Sequence, residues 1–173
     1  MFTHLVVKQA SLAIFYKLGM AVICGALIGT ERVISHKDAG MRTYALVAMG
    51  AALFVIVSDT LVHLYMSQGT PVGDPLQIPS MIISGIGFIG AGMIIFRESN
   101  VTGLTTAAGF WVAAGIGMAC GYGLYIPAAM ATLITLFVFI VLWHVEQQIK
   151  KISWDEEEPP KKRKKKVTIP IIE

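Results

Sequence analysis

Two long stretches of this sequence carry almost no charge. Residues 104–145 contain no Asp, Glu, Lys or Arg, and residues 43–96 contain only Asp59 and Asp74. A soluble domain needs a charged surface that such stretches do not provide, and hydrophobic residues make up 55% of the chain. The sequence therefore predicts a membrane protein in contact with the lipid bilayer. It argues against a soluble enzyme, so no catalytic residue is assigned.

Five stretches are long and apolar enough to cross a bilayer as helices. Such a helix needs about 20 apolar residues, and a helix satisfies its backbone polar groups internally. The predicted spans are residues 12–29, 43–65, 78–96, 105–121 and 126–145. We therefore expect an all-α membrane protein, with a five-helix transmembrane domain over residues 1–145 and a charged, disordered tail over residues 146–173.

Basic residues alternate between the links that join these spans. Lys and Arg number three in residues 30–42, none in 66–77, one in 97–104, none in 122–125 and eight after the last span. Because cytoplasmic loops carry the excess of basic residues, the N-terminus is predicted outside and the C-terminus in the cytoplasm. Six of the eight form the run Lys161–Lys166. This run is expected either to bind anionic lipid or only to fix the topology. One basic tail patch does not predict nucleic-acid binding.

Small residues indicate which helices pack closely in lipid, because they let helix backbones approach. Gly25 and Gly29 form such a pair in the first span. The third span carries Gly85, Gly87, Gly90 and Gly92, and the fourth is also rich in Gly and Ala. We expect the third and fourth helices to form the bundle centre. Gly85, Gly87 and Gly90 also match a dinucleotide-binding pattern as text, but they lie in mid-membrane, so helix packing is the interpretation, with a helix break as the alternative.

The sequence contains a weak internal repeat at an offset of 63 residues. The segment AGMRTYALVAMGAA, which begins at Ala39, aligns with TGLTTAAGFWVAAG, which begins at Thr102. We interpret this as two parallel helical hairpins related by a pseudo-two-fold axis, plus a peripheral fifth helix with large apolar residues on every side. A shared bias toward small residues is the alternative explanation.

Ionisable residues gather at the two ends of the predicted bundle. On the outer side, Asp59, His63 and Asp74 are candidate ligands for a divalent cation, although solvation at the interface explains them more simply. Cys24 and Cys120 have no metal-binding spacing, and no cofactor or disulfide is expected. The cytoplasmic side has charges and hydroxyls at two predicted helix N-termini, which favour an anion or a carboxylate. This candidate functional layer consists of Glu31, Arg32, Arg42, Thr43, Arg97, Glu98, Thr105 and Thr106. An internal structural network among these groups is the alternative.

Four ordered blocks carry a family resemblance over roughly residues 18–125. The blocks GALIGTER, AGMRTYALVAMGAALF, DPLQIPSMIISGIGFIGAGMII and VTGLTTAAGFWVAAGIGMACGYG resemble the MgtC/SapB family of bacterial inner-membrane proteins. The resemblance places the family's motif positions at Glu31, Arg32, Gly40, Arg42, Thr43, Asp74, Gly85, Gly87, Gly90, Gly103, Thr105, Thr106 and Trp111. Of these, Gly103 and Trp111 are assigned to helix packing with the other glycines. The chain departs from the family by having Met81 where many members have Gln, and by ending without the ACT-like domain that many members carry.

The resemblance implies a function at low magnesium. It implies a five-helix inner-membrane domain that supports growth under magnesium limitation and survival in host cells, associated with restraint of the F-type ATP synthase. We expect a non-enzymatic factor that modulates this or another membrane partner, with a homo-oligomer left open. The alternative is a Mg²⁺ or proton transporter or channel, which requires ionisable groups at the midplane that the predicted spans lack.

Overall fold

The computed structural model describes residues 2–69, 74, 76–97 and 100–155, and it describes the side chains of these residues except 2–10, 97 and 153–155. The chain is mainly helical. Its elements, in order, are α1 (Phe2–Ile34), α2 (Met41–Ser67), α3 (Gln77–Gly92), β1 (Ile95–Arg97), β2 (Asn100–Thr102), α4 (Leu104–Gly121), α5 (Tyr125–Phe137), a π-helical segment (Val138–Leu142) and α6 (Trp143–Asp155).

Four of the helical stretches are long and apolar enough to cross a membrane. They are Ser11–Ile34, Met41–Ser67, Leu104–Gly121 and Tyr125–Ile152, and the last of these runs through α5, the π-helical segment and α6 without a break. The third predicted span corresponds to α3, an apolar helix of 16 residues. The predicted all-α membrane fold is therefore confirmed in its helical character and in the position of all five helices.

The third helix ends earlier than predicted, at Gly92 instead of Phe96. Residues 95–97 pair with residues 100–102 as a short antiparallel hairpin, in which Ile95 lies opposite Thr102. Glycines near the end of α3 weaken the helix, whereas the β-branched and aromatic residues that follow favour a strand. Gly103 then turns the chain into α4 with a φ of +89°, and a Cβ at this position would overlap the carbonyl oxygen of Met93. Only glycine fits this turn without strain.

Helix α4 lies at the centre of the bundle and contacts α1, α2, α3 and α5. It runs parallel to α2, because Gly109 meets Tyr44 near the start of both helices and Gly121 meets Ala52 farther along. This arrangement places the two copies of the sequence repeat side by side. Helix α1 is antiparallel to α2, and Gly25 and Gly29 let the two backbones touch. A Cβ at Gly25 would lie 2.5 Å from the carbonyl oxygen of Tyr44.

The prediction that α3 forms the bundle centre with α4 is wrong for α3. This helix packs mainly on α4 and touches α2 only slightly, so α2 and α3 do not form a tightly packed hairpin. Gly85, Gly87 and Gly92 have open space where a Cβ would be, and only Gly90 faces a neighbour, with Ala107 3.5 Å away. The core instead consists of α1, α2 and α4, where Ala21, Cys24, Ala48 and Ala113 are buried. Sequence alone gave no indication of which glycine-rich face meets a partner.

Helix α5 packs on the bundle with one face and exposes the other. Ala128, Thr132, Thr135 and Phe139 are buried at helical spacing against the bundle, while the large apolar residues between them are exposed. Each threonine hydroxyl donates to the carbonyl oxygen four residues earlier, which satisfies it within the helix. The helix then continues to Asp155. The expected disorder of the tail is therefore wrong for residues 146–155, and Lys161–Lys166 lies outside the described residues.

Candidate functional site

One end of the bundle collects the basic residues, as the sequence predicts. Here α1 ends, α2 and α4 begin, and the π-helical segment leads into α6. We call this end, formed by residues 30–43, 93–97, 100–106 and 138–146, the basic end. The members of the predicted functional layer that the structure describes lie here, in groups with different surroundings.

The first group is a buried ion pair between neighbours on α1. Arg32 donates from both Nε and Nη2 to Oε2 of Glu31, and Ser35 Oγ donates to Oε1 of Glu31 at 2.6 Å. Only 7% of Glu31 and 3% of Arg32 are exposed. The Arg32 guanidinium carbon also lies 3.7 Å from the centroid of the Phe139 ring. A cation over an aromatic face is attracted by the ring quadrupole, so the π-helical segment helps to hold the charge.

A second buried contact joins the starts of α2 and α4. The hydroxyl of Tyr44 donates to the backbone carbonyl oxygen of Thr106 at 3.3 Å, and the Tyr44 ring meets Phe110 edge-on with centroids 4.8 Å apart. Gly109 provides the necessary room, because a Cβ there would overlap the Tyr44 hydroxyl. Tyr44 is fully buried and Thr106 is buried beside it. These contacts fix the position of the α4 N-terminus relative to α2.

An open cavity of about 310 Å³ lies next to the buried ion pair, and we call it the basic-end cavity. Its polar wall carries Arg32, Lys37, Thr105 and Glu146. Its apolar wall comes from the last helix and consists of Val138, Phe139, Leu142 and Trp143. Arg32 is already paired with Glu31, whereas the Lys37 side chain forms no ion pair among the described residues. A ligand group with one negative charge and an apolar neighbour would match these two walls.

Arg42 and Thr43, two further residues of the predicted layer, do not line this cavity. Arg42 and Thr43 are exposed on the first turn of α2, and Arg42 makes no hydrogen bond or ion pair within the described part of the chain. In terms of the internal-network alternative, Glu31 is satisfied by Arg32 and Ser35, and Arg42 takes no part among the described residues. The N-caps of α2 and α4 are Gly40 and Gly103, and neither helix start has a side-chain cap.

Two members of the predicted layer cannot be placed as side chains. Arg97 ends β1 close to the start of α4, but its side chain lies outside the described residues, as does the whole of Glu98.

The candidate cation ligands at the opposite end do not come together. His63 Nε2 lies 3.6 Å from Asp59 Oδ1, and both side chains are solvent-exposed. Asp74 Oδ1 instead accepts a hydrogen bond from the backbone amide of Leu76 at 2.9 Å, at the start of α3. Burial raises the pKa of Tyr122, and the nearby Asp59 charge adds to this shift. Over residues 2–69, 74, 76–97 and 100–155, no group of three His, Cys, Asp or Glu residues is placed to hold a metal.

Trp111, which the family resemblance assigned to packing, is not buried. Its side chain is 55% exposed and lines an apolar surface depression with Ile83, Gly115 and Pro127. This indole therefore faces the surroundings of the bundle.

Sequence reasoning missed Tyr44, Phe139 and Lys37. Buried residues recur along α2 at Tyr44, Ala48, Ala51 and Val55, so the helical period was a usable signal for Tyr44. Phe139 follows the same spacing in the last helix. No pattern marked Lys37, because its position beside Arg32 depends on the tight turn after α1, in which the amide of Lys37 donates to the carbonyl oxygen of Arg32 at 2.9 Å.

The fold and the basic end define a polytopic helical membrane protein with a charged, partly buried layer at one end. Comparison with known families agrees with this class. The family model described as "MgtC family" matches residues 18–148, and the chain belongs to this family.

Curated relatives extend the comparison. The chain is 47% identical over 122 residues to the "Putative magnesium transporter YhiD" of Escherichia coli K12, which covers 69% of this chain and 56% of that protein. It is 45% identical over 137 residues to "Protein MgtC" of Salmonella typhimurium LT2, an alignment that covers 79% of this chain and 55% of that protein. It is 40% identical over 144 residues to "Protein SapB" of Bacillus subtilis, an alignment that covers 82% of this chain and 60% of that protein. The chain thus spans little more than half the length of these relatives. No solved structure gives a significant match.

Proposed function

We propose that this chain is an inner-membrane factor that supports bacterial growth when magnesium is scarce and survival inside host cells. In this proposal it acts by modulating a membrane partner, such as the F-type ATP synthase. Membership of the MgtC family supports the proposal. The role of magnesium in this proposal rests on the relative YhiD, whose name is "Putative magnesium transporter YhiD".

The observation that carries the modulator proposal is the basic-end cavity. A cavity with an apolar wall and a polar wall that carries Lys37, located where spanning helices end, suits a partner helix that presents a carboxylate beside apolar side chains. Glu146, which lines the same polar wall, is paired with Lys150 at 2.5 Å. Lys37 is the residue that such a carboxylate would meet, because Arg32 is already held by Glu31. The stacking of Arg32 on Phe139 keeps the polar and apolar walls in a fixed relation. Docking at this cavity would therefore need little rearrangement of the chain.

The second candidate function is transport of Mg²⁺ or protons, which the name of YhiD favours. Transport through the bundle requires a wet path with ionisable groups or exposed carbonyls across the midplane. Among the described residues, the middle of the α1, α2 and α4 interface is filled by Ala21, Cys24, Ala48, Ala52 and Ala113. Because these side chains offer no oxygen ligand to Mg²⁺ and no carboxylate or imidazole to carry a proton, the packing supports modulation over conduction.

Growth at low magnesium tests the proposed site in a bacterium that lacks its own member of the family. We expect Lys37→Glu to abolish the growth benefit at normal membrane abundance, because it reverses the charge that faces the partner. Lys151→Glu makes the same charge change at an exposed position of α6 and should retain growth. A double Asp59→Asn, Asp74→Asn variant should also retain growth. If this double variant fails while Lys37→Glu grows normally, the outer carboxylates are the functional site.

The proposed orientation has a separate test. Single cysteines at Ser67 and Ser153, in a background without Cys24 and Cys120, are treated on intact cells with a thiol reagent that does not cross the inner membrane. Labelling is expected at position 67, where α2 ends at an exposed residue, and not at position 153. The opposite pattern would place the basic end outside the cytoplasm.

A further inference from the structure

The separation of α2 from α3 leaves a deep apolar cleft on the side of the bundle. Helix α3 leans on α4 instead of α2, so the space between α2 and α3 stays open over α4. The cleft has a volume of about 690 Å³. Leu46 and Phe54 line it from α2, Ile82 and Ile86 line it from α3, and Phe110 of α4 forms its floor.

The length of the cleft matches part of a lipid chain. On α2 it is lined from Thr43 to Phe54, which corresponds to roughly 16 Å at the helical rise of 1.5 Å per residue. Gly50 and Gly85 lie on its two walls, and a Cβ at either position would meet no atom within 4 Å. The two glycines therefore keep the cleft wide, and neither position serves a packing contact among the described residues.

The cleft has one polar end. Thr43 lines both the cleft and the neighbouring depression that contains Arg42 and Gly40, so the two spaces adjoin. Arg42 is exposed and has no partner in the described part of the chain. The first amides of α2 have no side-chain cap, since Gly40 is the N-cap. An exposed guanidinium and helix amides without a side-chain cap at the mouth of an apolar cleft are complementary to a phosphate that carries an acyl chain.

We propose that the α2–α3 cleft binds an anionic phospholipid, with an acyl chain between the two helices and the phosphate held by Arg42 and the first amides of α2. The cleft lies within segments that have the length and composition of membrane spans, where lipid is the surrounding solvent. Its lining offers a polar group only at the Arg42 end, which suits a molecule with a single anionic head. This site is distinct from the basic-end cavity, and the binding does not depend on the identity of the protein partner.

Native mass spectrometry of the purified chain tests this proposal, with the six basic residues 161–166 changed to Gln in every sample so that the tail does not contribute a preference for anionic lipid. Phosphatidylglycerol and phosphatidylcholine are added in equal amounts, and retained lipid is counted for each variant. We expect the wild-type chain to retain phosphatidylglycerol about fivefold better, which corresponds to about 1 kcal/mol for one basic residue at a headgroup. Arg42→Gln should lose this preference and still retain lipid. Gly85→Leu should reduce the retention of both lipids, because the added side chain fills the cleft.

Matched controls separate the site from general effects. Lys151→Gln removes one exposed positive charge elsewhere, and Gly87→Leu enlarges an exposed position on the same helix outside the cleft lining. Both should behave as the wild type does. Gly50→Leu fills the cleft with a leucine side chain from the opposite wall, and it replaces Gly85→Leu if that variant yields no folded protein. Glycerol phosphate, which has the head but no chains, should not displace the bound lipid.

Three results would overturn the proposal. The first is a phosphatidylglycerol preference that survives Arg42→Gln, and the second is lipid retention that survives both leucine variants. The third is a dimer that Gly85→Leu dissociates, because the cleft would then be occupied by a second copy of the chain.

Discussion

Replacing Gly117 with alanine should destabilise the bundle, because α2 leaves no space for a methyl group. A Cβ at Gly117 would overlap the carbonyl oxygen of Ala48 and lie 2.7 Å from its carbonyl carbon. Non-bonded carbon atoms prefer about 3.5–4.0 Å, so α2 and α4 would have to separate by roughly 1 Å. Overpacking costs about 1–3 kcal/mol. We expect a value near the upper end, about 3 kcal/mol, because the obstacle is backbone and not a flexible side chain.

Gly115→Ala provides the matched control two residues away on the same helix. A Cβ at Gly115 would meet no atom within 4 Å, so the added methyl group enters open space. Alanine is a better helix former than glycine by up to about 1 kcal/mol, and this variant should be neutral or slightly more stable. Denaturant titration of the purified proteins in detergent, followed by circular dichroism, measures both free energies of unfolding. Equal stability of the two variants would refute the close parallel packing of α2 and α4.

Two further substitutions test the buried contacts at the basic end by the same titration. Glu31→Gln should cost about 3–5 kcal/mol, because it leaves the Arg32 charge buried without its counter-ion, and unchanged stability would contradict the buried pair. Tyr44→Phe should cost only about 0.5–1.5 kcal/mol, because it removes the hydrogen bond to Thr106 and keeps the ring packing; a loss as large as that of Tyr44→Ala would mean that the hydroxyl has further partners.

The helices were predictable because apolar composition alone determines where a chain can cross a membrane. The starts of α2, α3, α4 and α5 lie within two residues of their predicted positions. The end of α3 was not predictable in this way, because hydrophobicity does not distinguish helix from strand over the short stretch around Ile95. The end of α3 and the start of the strand depend on the turn at Gly103, and that turn depends on contact with Met93.

The candidate site was predictable in location but not in its contacts. Charge counting placed Arg32 and Arg42 at the same end, and both begin or end a helix. Only the structure shows that Arg32 is buried against Glu31 while Arg42 is exposed near the end of the α2–α3 cleft. Which glycines make close helix contacts is likewise visible only in the structure. Gly115 and Gly117 are equivalent in composition, yet they lie on different faces of α4, and which face meets α2 is a property of tertiary packing.

The most direct test of the central claim, that this chain modulates a partner and does not conduct ions, is flux through liposomes containing the purified protein. Mg²⁺ and proton uptake are measured with enclosed indicator dyes, and folding is checked by circular dichroism of the same sample. The alanine-filled interface between α1, α2 and α4 predicts that uptake does not exceed that of protein-free liposomes. Uptake that increases with protein content, and decreases in an Asp59→Asn, Asp74→Asn variant, would contradict the account and identify the chain as a transporter.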